Sequence, residues 1–138
     1  MKRKSVCIVA LTIIIIIFVF LTYVYLSNSY QKIDVFTAKG FDKETNTPIL
    51  SITNKIKLRE ISTIIKTSNK INGKVDVAPP NYVLEIHSFT KGIKTIYLWL
   101  DKDTIKGMMM YINKTETGYS ISEDNTLRLK QVILFSNN

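Results

Sequence analysis

The sequence predicts an α+β fold: an N-terminal transmembrane helix, then an antiparallel sheet of four to six strands with two helices on one face. Three observations predict it. Residues 6–26 form an uncharged apolar run without Gly or Pro. Two stretches, after Asn54 and after Ser122, repeat apolar residues at helical spacing. Residues 82–100, "YVLEIHSFTKGIKTIYLWL", alternate apolar and polar on either side of a Gly-containing turn.

The 138 residues suffice for one domain of ordinary size. The boundaries read as a basic cytoplasmic segment over 1–5, a transmembrane signal anchor over 6–26, a connector over 27–31 and an extracytoplasmic α+β domain over 32–138. A helix of 21 residues at about 1.5 Å each matches a hydrocarbon layer of about 30 Å. Lys2, Arg3 and Lys4 precede it and place the N-terminus inside, with the domain outside the cell membrane. A cleaved signal peptide, cut after Ser29, is the competing reading; the length of the apolar run favours the anchor. Cys7 is the only cysteine, so the outer domain is held by its core and not by disulfides.

Lys2, Arg3 and Lys4 account for three of the 19 basic residues; the remaining 16 face 11 acidic ones, a balance of +5. These charges alternate in sign and form no basic stripe, which argues against nucleic acid as a partner. The partners expected are the membrane itself and either cell-wall material or another membrane protein.

In chain order, "KIDVFTA" (32–38) alternates as a strand with Ile33 and Val35 on one face, and "ILSIT" (49–53) is a second strand or the lead into a helix. Over 54–69 the period changes, with Leu58, Ile61, Ile65 and Ser68 on one side and Ile64 alongside. Thr53 or Asn54 caps its start, and Asn72-Gly73 is the expected end. Pro79 and Pro80 lack amide donors and bias their neighbours toward extended geometry, so they punctuate the chain before the hairpin or build a rigid lip beside it. With Thr90-Lys91-Gly92 as a three-residue turn, Phe89 pairs with Ile93. Tyr82, Leu84 and Ile86 then share an apolar face with Leu100, Leu98 and Ile96. The opposite face carries Val83, Glu85, His87, Trp99, Tyr97 and Thr95. "GMMMYIN" and "GYSIS" make a second hairpin, with Met108 and Met110 filling the core. Ser122 caps a last helix whose apolar face is Leu129, Val132 and Ile133.

The chain displays few groups arranged for chemistry. His87 is the only histidine, too few for a zinc site, and no nucleophile can be named beside it. Asp101 and Asp103 read as a solvated turn, Asn113-Lys114-Thr115 as a weak sequon, and the dispersed glycines form no phosphate loop. No metal or cofactor is implied, and the chain reads as a non-enzyme. The candidate binding residues are Pro79, Pro80 and Tyr82 at the entry to the hairpin, with His87, Tyr97 and Trp99 on its mixed face.

"GKVDVAPPNYVLEI", "YLWLD", the "GMMMYINKTETGYSIS" hairpin and the closing helix resemble, in this order over residues 33–135, the YhfM-like domain family. The resemblance implies a small extracytoplasmic domain of Gram-positive bacteria, often carried on a lipoprotein. This chain lacks the lipobox cysteine, which favours the anchor helix, and the family brings no activity or catalytic residues to carry over. The expected function is therefore a membrane-anchored, non-catalytic domain that binds a cell-envelope ligand or protein. The alternative is an accessory or inhibitory subunit of another membrane protein, with a small hydrolase third.

Overall fold

The computed structural model describes the backbone of residues 2–27 and 29–135 and the side chains of 8–24 and 29–135. Helix α1 (Lys2–Ser27) leads into strands β1 (Tyr30–Lys39), β2 (Asp42–Lys43) and β3 (Leu50–Ile52). Helix α2 (Lys55–Thr67), strands β4 (Asn69–Lys70), β5 (Tyr82–Ser88), β6 (Gly92–Trp99), β7 (Met108–Tyr111) and β8 (Gly118–Ser120), and helix α3 (Glu123–Ile133) follow. The strands form one antiparallel sheet in the order β2-β1-β5-β6-β7-β8-β4, with β3 pairing β1 as well. The sheet thus has eight strands where four to six were predicted. The surplus comes from β2 and β4, two residues each, which are too short to show a period of two.

The transmembrane anchor predicted over 6–26 is corrected. Among the described residues no helix is long and apolar enough to cross a membrane. The single-pass topology, with a cytoplasmic N-terminus and an extracellular domain, loses its support with the anchor. The side chains of Lys2, Arg3, Lys4 and Cys7, and of Ser27 and Asn28 at the proposed cleavage site, lie outside the described residues.

The main core lies between the sheet and the α2–α3 pair. Ile33 and Val35 of β1, Leu84 and Ile86 of β5, and Ile96 and Leu98 of β6 pack there against Leu58, Ile61, Ile64 and Ile65 of α2 and Leu129, Val132 and Ile133 of α3. Asn54 caps α2, its side chain accepting from the amides of Ile56 at 2.9 Å and Lys57 at 3.2 Å. The helix ends at Thr67 rather than at Asn72-Gly73, because Ser68 turns extended and Asn69-Lys70 pairs with β8. Ser122 caps α3, with Glu123 and Asp124 in the first turn, where the helix dipole favours negative charge.

The β5–β6 hairpin turns through Phe89-Thr90-Lys91, pairing Ser88 with Gly92 and His87 with Ile93. Gly92 takes φ +67°, the left-handed conformation that an L side chain resists. Every pair is displaced by two residues from the predicted register, for example Leu84 opposite Ile96 rather than Leu98. Because side chains alternate with period two, an even displacement leaves both faces as predicted.

The face turned away from the helices carries a smaller apolar cluster of Phe36, Val83, Tyr97 and Met110. Met109, not Met108 or Met110, enters the main core, and Met108 is half-buried. Residues 71–80 have no regular structure and cross this second face, placing Val75 and Val77 on the cluster.

Candidate active site

One end of the face opposite the helices is polar. In the strand register Ser51 of β3, Asp34 of β1 and Glu85 of β5 stand in one row, and Lys32 stands opposite His87 in the next. Alternation explains the placement: Ile33 and Val35 point into the main core, so Lys32, Asp34 and Phe36 point the other way. Asp34 is only 5% exposed, although it is a carboxylate. Such a group persists when its lone pairs are filled, and here they are.

Three partners fill them. Lys32 Nζ lies 2.8 Å from Asp34 Oδ2 and His87 Nε2 lies 3.1 Å from the same oxygen. The hydroxyl of Ser51 donates to Oδ1. Burial by itself would raise the Asp34 carboxyl, but the hydrogen bonds from Lys32 and Ser51, the Lys32 charge and the His87 contact outweigh it and hold the group below the usual carboxylate range. An ionised carboxylate only accepts hydrogen bonds, so Nε2 of His87 carries the proton toward Asp34. In the neutral imidazole the lone pair is then on Nδ1. Glu85, next in the row, is satisfied separately by Lys43 at 2.9 Å, whose ammonium also lies 4.4 Å from the centroid of the Phe36 ring. The His87 side chain keeps 28% of its exposure, so solvent reaches it.

The residues predicted from sequence fall in three places. His87 belongs to the polar end just described. Tyr97 and Trp99 share its face, but Tyr97 pairs with Val83, four residues back along β5, or about 13 Å at strand rise. Tyr97 is buried, with its hydroxyl donating to the Phe41 carbonyl at 2.8 Å, and burial first and Asp42 second push that hydroxyl up. Trp99 is half-buried, and its Nε1 donates to the carbonyl of Ala78 at 2.8 Å. The crossing segment 71–80 thus covers much of the face expected to be open. Pro79 is exposed and Pro80 buried within that segment. Tyr82 points to the opposite face, packed half-buried against the main core.

Asp34, Lys32 and Ser51 were not singled out from the sequence. The alternation of "KIDVFTA" puts Asp34 on the face away from Ile33 and Val35, which was a usable signal. The pairing of β1 with β5, which brings it to His87, leaves no local trace. Among the described residues, no group of three or more His, Cys, Asp or Glu side chains is placed to hold a metal ion.

No curated protein matches the chain. Among solved structures, the fold is similar to that of a thioesterase-like protein from Clostridium sporogenes, with a TM-score of 0.58 and 23% identity over 77% of this chain and 95% of that one. At that identity the likeness concerns the fold alone. A family model described as YhfM protein matches residues 28–138, and the chain belongs to that family.

Proposed function

We propose that this chain hydrolyses ester or thioester bonds, with His87 as general base and Asp34 as the residue that positions it. The observation that carries the reading is the 3.1 Å contact between His87 Nε2 and the buried, ionised Asp34. It fixes the imidazole tautomer and leaves Nδ1 to take a proton from water. The water oxygen then attacks the substrate carbonyl carbon, and the proton passes to Nδ1. Lys32, on the same Asp34 oxygen and opposite His87 in the strand register, is the cation we assign to the charge developing on the carbonyl oxygen. Collapse of the tetrahedral intermediate breaks the bond to sulfur or oxygen. The imidazolium returns its proton to the leaving group, giving an acid and a thiol or alcohol. The fold likeness to a thioesterase-like protein supports the same reaction class.

This replaces the expected non-catalytic, membrane-tethered binding domain and its alternative, an accessory or inhibitory subunit. Both rested on an anchor that no described helix supplies, and on the lack of a nucleophile beside His87; the reaction proposed here takes water as the nucleophile, with Asp34 holding the imidazole.

The test is turnover of short-chain acyl thioesters and p-nitrophenyl esters by the full chain. Wild-type protein should exceed the buffer rate. His87→Asn should lower kcat by about 100-fold or more, the usual share of a general base. Asp34→Asn should lower kcat with little change in KM. Wild-type turnover equal to buffer across the panel would overturn the proposal.

A further inference from the structure

A second feature lies near the turn end of the β5–β6 hairpin. Between the end of α2, this hairpin and the β7–β8 turn is an open cleft of about 430 Å³. Lys66, Lys91 and Lys94 line it, with Tyr111, Ile93 and Asn113, and no carboxylate is among its lining residues. That volume is within the range of small-molecule sites.

Lys66 and Lys94 differ from several other lysines on the surface. Lys32, Lys43, Lys74 and Lys106 each stand within ion-pair distance of an Asp or Glu. Among the described residues no ion pair involves Lys66, Lys94 or Lys114. Lys94 is also held in place: its ammonium sits 4.4 Å from the centroid of the Tyr111 ring, and that ring packs edge-on against Tyr119 with centroids 5.5 Å apart. Partial burial, then the charges of Lys91 and Lys114, hold the Lys94 ammonium below its usual range. Like charges converging on a concave surface repel one another, and an anion bound among them removes that repulsion.

We propose that this cleft binds the phosphate or pyrophosphate group of a small molecule, with Lys66 and Lys94 as the principal contacts and Ile93 as an apolar wall for the rest of the ligand. A multiply charged anion suits several separate ammonium groups, each a point charge on a flexible stem. The inference stands apart from the hydrolase reading and does not need it.

Calorimetric titration of the full chain with inorganic pyrophosphate tests it. Saturable binding at one site is expected, weakening as salt is added. Lys94→Met and Lys66→Met should each raise Kd about tenfold, equivalent to about 1.4 kcal/mol. Lys74→Met, which removes a lysine paired with Glu116 outside the cleft, should leave Kd unchanged. Unaltered melting of the variants would separate lost contacts from lost folding. Vesicles with and without phosphatidic acid form the second arm. Binding to these in preference to pyrophosphate, with the same lysine dependence, supports the site and assigns the phosphate to a lipid headgroup. Absence of saturable binding in both arms, or equal weakening by Lys74→Met, would reduce the effect to net charge and overturn the proposal.

Discussion

His87 Nε2 and Asp34 Oδ2 lie 3.1 Å apart across neighbouring strands, though 53 residues separate them in sequence. The contact is diagonal, because the register sets Lys32 opposite His87 and Glu85 opposite Asp34. Two carboxylates side by side on a sheet repel, and each here is neutralised by its own cation, Lys32 for Asp34 and Lys43 for Glu85. The imidazole adds a further hydrogen bond to an Asp34 charge that Lys32 already balances.

Asp34 should make stability fall in acid. Its carboxyl is held below the usual range in the folded chain, so the unfolded chain binds that proton more readily. The stabilisation is complete above the unfolded value of about 3.9 and is lost as pH falls through the lower folded value. Asp34→Asn should cost about 2 kcal/mol at neutral pH, since charged hydrogen bonds are replaced by weaker ones. Melting temperatures of both proteins from pH 7 downward should converge in acid. A gap that stays constant to the lowest pH at which both fold would show that the carboxylate charge is not the source.

How much of this was legible follows from the range of each interaction. Asn54 and Ser122 act on amides within three residues, and Gly92 acts on its own turn, so the sequence displays all three. Face assignment on β5 and β6 survived a wrong register because the displacement was even. Asp34 could be placed on a face but not beside His87, since that depends on which strand joins β1. Segment 71–80 has no period to read, yet it determines how far Tyr97 and Trp99 are exposed. The apolar run at the N-terminus was legible as a helix, but no described helix reaches the length and apolarity of a span.

Thr126→Val should destabilise more than its near-equal shape suggests. Thr126 is fully buried at 0% exposure, where its Oγ1 accepts from the Gly107 amide at 2.8 Å and donates to the Ser122 carbonyl at 2.8 Å. Valine leaves the Gly107 amide without that acceptor, a cost of about 1–3 kcal/mol. Urea unfolding should show a lower midpoint with an unchanged slope. Thr126→Ser, which keeps the hydroxyl, should recover part of the loss. Equal losses in both variants would point to the methyl group instead.

Trp99 reports on the crossing segment. Its indole donates to the Ala78 carbonyl and meets Tyr97 edge-on with centroids 6.4 Å apart, and the residue as a whole stays only half-buried. Iodide should therefore quench its fluorescence partially in the native protein and fully in urea. Trp99→Phe keeps most of the packing and removes the hydrogen bond, so a loss of about 1 kcal/mol is expected. An emission that iodide cannot reach would mean that 71–80 closes over the ring completely.

Gly118→Ala should loosen that same segment from its other end. A Cβ at position 118 would stand 2.9 Å from Val75 Cγ2 and 3.2 Å from Ile71 Cδ1, both carried by residues 71–80, and 3.5 Å from the Met108 sulfur. The first distance is too short for carbon atoms in contact, so Val75 has to move, and Ile71 has to yield with it. The Gly118 carbonyl also accepts from the Ile71 amide at 2.9 Å, which ties the start of the segment to the edge of β8. Crowding of this kind costs about 1–3 kcal/mol when the neighbours are fixed, and less when they can shift. The segment has no ladder to hold it, so it should yield before β8 does. Hydrogen exchange should therefore accelerate at residues 71–80 while β5 and β6 keep their protection, and iodide should quench Trp99 more strongly than in the wild type. Exchange that accelerates equally across the sheet would show instead that Gly118 supports β8 itself and that the segment is held by other contacts.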